Sequence, residues 1–243
     1  MFHTVWKEKP EIQANLKDKI IPVEGDLVQE NLGIPPDQRK HLIEELDVII
    51  SSAASINFTD PLLEALQINY FGTMRLLDLA KECKHLEVYH HISTAYVNGN
   101  LPPSTRIQEK IYPYYSIDKN KDVEAIVSEL QRMDPNKLEE GTLDGGLLNG
   151  HPNTYAFTKE LSEKLLQKRR GNLRMVISRP TVIFSVANDP APGWSDTVSA
   201  AGVVQFPVAM GIANFIWSTK DPVDFINGDL VSNTVLVSTA YAG

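Results

Sequence analysis

Four short runs of branched apolar residues, separated by longer stretches of helical periodicity, constrain this chain more than any other feature. Ile20 to Val23 (IIPV) ends at Gly25-Asp26. Leu46 to Ile50 (LDVII) leads into SSAAS, Val88 to Ile92 (VYHHI) into STAY, and Met175 to Ser178 (MVIS) into Arg179-Pro180. Short Val/Ile-rich runs bounded by turn residues predict buried strands. Between the second and third runs, Leu62, Leu63, Leu66, Met74, Leu76, Leu77 and Leu79 recur at helical spacing within Pro61 to Lys84. Asn153 to Arg170 is a second helical stretch, with Leu161, Leu165 and Leu166 on one face. Strands alternating with helices predict an α/β, doubly wound parallel sheet of Rossmann-like kind. Ligands of such sheets sit at the carboxyl ends of the strands, so the polar tails of the four runs are where chemistry is expected.

Composition narrows the class. The chain has 243 residues, 42% of them hydrophobic and 22% charged, enough for a substantial α/β core. A net charge of −8 argues against a nucleic-acid partner, which needs a basic face for phosphates. The single cysteine, Cys83, excludes an internal disulfide and reads as a structural thiol. The first residues, MFHTVWKEKPEIQ, are charged and lack the apolar core of a signal peptide, so an intracellular location is expected. Val198 to Trp217 carries no charge over roughly twenty positions, the length of a membrane span. Its Gln205, Pro207, Asn214 and glycines favour a buried or substrate-facing segment instead.

Residues 101–149 break the alternation. Two prolines, the tyrosine-rich IYPYY, a charged helical piece (KDVEAIVSELQRM) and a glycine-rich stretch (GTLDGGLLNG) read as a long insertion after the third strand. Long insertions near a ligand crevice are often lids or substrate loops. At the front, nothing before Ile20 supplies a strand and G-x-G-x-x-G turn, and the first glycine is Gly25. Either the chain is a dinucleotide fold truncated before its first strand and phosphate turn, or it is not a dinucleotide binder at all.

The sharpest chemical signal is Tyr155-Ala-Phe-Thr-Lys159. Positions i and i+4 share a helix face, and an ammonium beside a phenol is expected to lower its pKa toward useful acid–base strength. Alone, the pair is a weak motif. The third run ends in Ser93-Thr94, where a hydroxyl could hydrogen-bond a substrate carbonyl or merely cap a turn. Ala53 and Ala54 after the second run let a flat ligand approach the backbone, or simply pack tightly. Asp26 after the first run could accept from an adenine amino group, or form an Asx turn.

Taken in order, GDL, SSAAS, N-Y-F-G-T, HISTAY, Y-x-x-x-K and SRPTV resemble an extended short-chain dehydrogenase/reductase. STAYVN with Glu109-Lys110-Ile111-Tyr112-Pro113, then RPTVI, DPAPGW and PVDFIN, are similar to the fatty acyl-CoA reductases. The resemblance covers roughly Ile20 to Tyr241. It implies one partial NAD(P)-binding reductase domain over 1–243, with the insertion at 101–149 and a substrate-side segment at 185–243. It implies catalytic roles for Thr94, Tyr155 and Lys159. Asp26 and Leu27 would contact the adenine, while Ala53, Ala54 and Asn69 would line the cofactor cleft. Ser93 with Tyr155 and Lys159, and Pro180, Thr181 and Val182, would lie near the nicotinamide.

The implied cofactor is NADPH and the implied partner a long-chain acyl-CoA, reduced to an aldehyde and then a primary fatty alcohol, with no metal. The family also suggests membrane association in peroxisomes or the endoplasmic reticulum. Two other readings stand beside this one. One is a different extended reductase, such as a sugar-nucleotide epimerase, dehydratase or hydroxysteroid dehydrogenase. The other is an inactive fragment lacking the phosphate turn.

Overall fold

The computed structural model describes residues 7, 16, 19–112, 122–143, 146–195, 202–212 and 224–243. Pro113, Pro222, Val223 and parts of the uncharged Val198–Trp217 run lie outside them. The chain divides into two compact units, one of residues 24–179 with 241–243, the other of residues 1–23 with 180–240.

In the larger unit, β1 (Val48–Ser51), β2 (Val88–Ile92) and β3 (Met175–Ser178) form one parallel sheet in the order β1-β2-β3. Val48 pairs with Val88, and Tyr89 with Met175. The last three runs of the sequence are these strands. Ile20–Val23 is not a strand: Ile20, Ile21 and Val23 lie exposed in irregular backbone. Pro22 lacks the N–H that a central strand must donate, and no described strand runs beside it.

Helix α1 (Pro36–Glu45) starts with proline at its first position and Asp37 in its first turn, both suited to a helix N-terminus. Pro61–Lys84 folds as α2 (Leu62–Ala65), a π-helical stretch (Leu66–Phe71) and α3 (Gly72–Glu82). The Gly72 N–H reaches back five residues to the Gln67 carbonyl. Hydroxyls of Thr73 and Ser162 both donate to the Asn69 carbonyl, at 2.6 and 2.8 Å, in the middle of that stretch.

The insertion carries α4 (Val123–Arg132), capped by Asp122, and α5 (Pro135–Leu143). Then α6 (Thr154–Arg169) leads to β3. Val123, Ile126, Val127 and Leu130 of α4 join Leu62, Leu66 and Tyr70, with Phe157, Leu161 and Leu165 of α6, in one buried cluster. The helical half of the insertion is therefore part of the core. Fully burying each of these side chains contributes about 1.5–3 kcal/mol. A second cluster, Ile49, Leu77, Ala80, Tyr89 and Leu166, seats α3 and the end of α6 on the sheet. Cys83 is half-buried beside it, its thiol directed at the Leu79 carbonyl at 3.3 Å and pushed up by burial.

The smaller unit has two further strands that local pattern did not mark. β4 (Val182–Phe184) pairs in parallel with β5 (Phe225–Asn227), so RPTVI and the end of PVDFIN lie side by side. Phe184 and Phe225 rings pack 5.2 Å apart, and the Asn227 amide donates to the Ser185 carbonyl at 2.7 Å. The unit also contains α7 (Gly202–Ala209), and most of α8 (Gly228–Ala242) belongs to it. Among the described residues no helix is long and apolar enough to cross a membrane.

Candidate active site

Helix α6 is positioned by its cap. Asn153, extended, accepts from the Ala156 N–H at 2.8 Å, and Lys168 and Arg169 close the last turn, where cations suit the helix dipole. This start places Tyr155 in the first turn and Lys159 one turn later on the same face.

Lys159 is 3% exposed, and its ammonium donates to the Ile92 carbonyl at the end of β2 at 2.6 Å. Burial draws the ammonium down to about 8, and the nearby Glu163 carboxylate opposes that pull. Tyr155 is half-buried, its ring 5.6 Å from that of Phe58. Burial pushes its phenol up from the ordinary tyrosine value; the neighbouring Thr94 hydroxyl pulls it down, and Tyr96 pushes it up again. The lowering of the phenol by Lys159 expected from spacing is not what this geometry produces. The ammonium is turned to the Ile92 carbonyl, and burial dominates at the phenol.

Thr94 and Ser93 follow β2, both 3% exposed. Thr94 Oγ1 accepts from the Tyr96 N–H at 3.4 Å, capping the short turn Ala95–Asn98. The Ser93 N–H is held by the Ser178 carbonyl at 2.7 Å, whereas its buried hydroxyl has no partner among the described residues. His91 Nδ1 lies 3.3 Å from Ser51 Oγ, and its buried Nε2 has no partner among the described residues. Buried polar atoms are normally satisfied, so unpaired ones beside Lys159 fit a polar ligand at this strand end. The hydroxyl–phenol–ammonium set is thus compatible with a nicotinamide and its ribose.

Other expected site residues have structural work. Asn69 is 2% exposed and its amide is committed: it accepts from the Ser55 N–H at 2.9 Å and donates to the Ser55 carbonyl and Thr158 Oγ1 at 3.2 and 3.0 Å. It ties the loop after β1, where Ala53 is exposed and Ala54 half-buried, to α6. Asp26 is exposed and accepts from the Val28 N–H at 2.9 Å, an Asx turn. The Leu27 carbonyl takes Arg75 at 2.8 Å, and its side chain packs so close to Gly72 that a Cβ there would meet Leu27 Cβ at 3.0 Å. The glycine of N-Y-F-G-T is thereby explained. Pro180, Thr181 and Val182 belong to the smaller unit, where Val182 begins β4.

Sequence reasoning missed a buried ionic face on α6. Glu163, 2% exposed, receives both arms of Arg179, at 2.9 and 2.6 Å. Glu160 contacts His151 Nε2 at 2.8 Å and Lys164 Nζ at 3.0 Å. Burial would raise the Glu160 carboxyl, but these partners outweigh it and hold it below the ordinary value. Arg179 and Lys164 also donate to the Lys110 and Tyr112 carbonyls, pinning the insertion's first segment to this helix. The available signal was the i+4 spacing of Glu163 from Lys159. Among the described residues no cluster of acidic, histidine or cysteine side chains could hold a metal.

A parallel sheet with hydroxyls at the end of its middle strand, facing a tyrosine and lysine one helical turn apart, gives the chain a Rossmann-like α/β fold. Residues 1–235 match the family described as male sterility protein. The chain is 35% identical to a putative fatty acyl-CoA reductase of Drosophila melanogaster over 98% of its own length and 45% of that protein. It is 32% identical to fatty acyl-CoA reductase 8 of Arabidopsis thaliana, over 94% of this chain and 50% of that one. The chain belongs to the fatty acyl-CoA reductase family of male sterility proteins, and spans about half the length of the curated relatives it matches.

Solved structures agree on the fold. The terminal R domain of the myxalamid PKS-NRPS pathway superposes with a TM-score of 0.63 at 23% identity, covering 93% of this chain and 48% of that one. RMD from Pseudomonas aeruginosa, complexed with NADPH, gives 0.55 at 18% identity, covering 95% and 70%.

Proposed function

We propose that this chain carries the acid–base site of an NADPH-dependent reductase acting on long-chain acyl-CoA thioesters, yielding first the aldehyde and then the primary alcohol. The observation that carries the reading is the buried Lys159 ammonium, fixed on the Ile92 carbonyl beside Thr94 and Tyr155, in a chain of this family. NADPH, when bound, supplies a hydride for each of the two reductions.

Thr94 donates to the substrate carbonyl oxygen, holding it where negative charge develops. Tyr155 gives its proton to that oxygen. Lys159, its ammonium anchored on the Ile92 carbonyl, holds the ribose hydroxyls together with Ser93. In the first reduction the Tyr155 phenolate then takes that proton back, the C–S bond breaks to leave the aldehyde, and the departing thiolate takes a proton from solvent, releasing CoA as the thiol. In the second, the aldehyde carbon takes hydride and its oxygen takes the Tyr155 proton, giving the alcohol. One constellation serves both, because both steps need a polarised carbonyl and a proton donor. Pro180, Thr181, Val182, Asp26, Leu27, Ala53 and Ala54 enter as cofactor contacts on the family resemblance. Attachment to a peroxisomal or reticulum membrane rests on the same resemblance, and fractionation of cells expressing the chain tests it.

The deciding experiment incubates the purified chain with NADPH and palmitoyl-CoA while NADPH absorbance and free thiol are followed. NADPH loss matched by thiol release is expected. Loss with UDP-sugars or steroids, but not with thioesters, would transfer the chain to another extended reductase activity. No NADPH binding by calorimetry would remove the claim that this polypeptide acts alone.

A further inference from the structure

Lys159 presents a physical problem that its own contacts do not solve. It is a buried ammonium with one hydrogen bond, to the Ile92 carbonyl, among the described residues. A buried lysine loses its proton readily unless an opposite charge is close. The groups facing it are few. On β2 they are His91, held neutral chiefly by burial and next by Lys159 itself, and the Ile92 carbonyl. On α6 they are Tyr155 and Glu163, each one turn away. Among the described residues Glu163 is the one carboxylate that acts on Lys159. It is as buried as the lysine, four residues along the same face, and Arg179 grips both its oxygens from the end of β3.

We propose that Glu163, locked by Arg179, is a positioning residue that keeps Lys159 in its ammonium form for the proton relay. The inference rests on Tyr155 and Lys159 being that relay, as argued under the proposed function. Arg179 has a separate share. Its fork fixes the carboxylate in place, so the field at Lys159 does not depend on a mobile side chain. Of the two charges, Glu163 is the one that acts on the ammonium.

The test reads Lys159 directly in the full chain. Lysine labelled with 13C at Cε is incorporated, the Lys159 resonance is assigned by its disappearance in Lys159→Arg, and its titration is followed by NMR. The parent should titrate near 8. Glu163→Gln should lower the midpoint by about two pH units, the size of one lost charge contact spanning roughly 6 Å at an effective dielectric near 20. Arg179→Lys, which keeps a cation on Glu163, should leave it near the parent.

Should Glu163→Gln fail to fold, Glu163→Gln with Arg179→Met removes the pair without stranding a buried charge. Its midpoint must still fall, by a smaller amount. A midpoint unmoved by loss of Glu163 overturns the proposal. In turnover, the alkaline limb of kcat should shift to lower pH in Glu163→Gln with KM little changed. A rate lowered equally at every pH would mean a structural role only. A shifted midpoint in a chain that reduces no thioester would sink the proposed reaction and leave standing only the coupling of Glu163 to Lys159.

Discussion

Lys159 is held in a state that opposes folding. Lysine ordinarily titrates at 10.5, and here at about 8. Between those values the unfolded chain binds the extra proton, so stability rises with pH across that window, and below it the charged side chain works against the fold. Lys159→Met should therefore melt higher than the parent at neutral pH, with the difference closing above the ordinary lysine value. Thermal unfolding monitored at both pH values checks this; a lower melting temperature at neutral pH counts against it. Tyr155→Phe keeps the ring that packs on Phe58 and removes only the proton. Turnover should fall by roughly a hundred-fold or more while NADPH affinity, read by calorimetry, stays nearly intact. Retention of full rate would end the assignment of the proton donor.

At the scale of elements, α6 was legible because its signals are local: Asn153 as cap, leucines every three or four residues, and lysine and arginine at the end. Its neighbour was only partly so. Pro61–Lys84 reads as one helix, yet Leu66–Phe71 is π-helical, because Asn69 is engaged from outside by Ser55, Thr158 and Ser162. Gly72, at the joint, lets α3 pack against Leu27. Alanine there would gain about 1 kcal/mol of helix propensity. It would also force a 3.0 Å contact with Leu27, an overpacking that costs about 1–3 kcal/mol. The clash should win, and Gly72→Ala should unfold at lower urea with an unchanged m-value. A higher midpoint would show that Leu27 gives way freely.

Across the whole molecule, charge is distributed so that acid attacks the fold in two stages. His90 and His91 sit mid-strand in β2, where burial holds both below the ordinary histidine value of 6.5. As pH falls below that value the unfolded chain takes up protons first, so stability declines. Glu160, held below the ordinary 4.5 by His151 and Lys164 against the cost of burial, contributes stability above that value. That contribution is lost as pH falls through its folded value. Melting temperature plotted against pH should bend first below about 6.5 and again below about 4.5. His91→Asn should weaken the first bend. A curve flat down to pH 4.5 would mean that the histidines of β2 are protonated without penalty.

The sequence by itself determined what depends on near neighbours. Branched apolar runs and helical periodicity located β1, β2, β3, α3 and α6, and i,i+4 spacing put Tyr155 and Lys159 on one face. Ordered short motifs pointed to the family. The tertiary structure alone decided what depends on distant residues. Ile20–Val23 is as apolar as the true strands, but it contains Pro22 and lacks a described partner. β4 and β5 are too short to stand out until they pair. The Lys159 ammonium finds a carbonyl 67 residues away, and that contact, with burial, turned an expected phenol-lowering charge into a buried cation that Glu163 must sustain. A side chain's residue type is written locally, whereas its solvent exposure and the charges facing it exist only after the sheet and helices have packed.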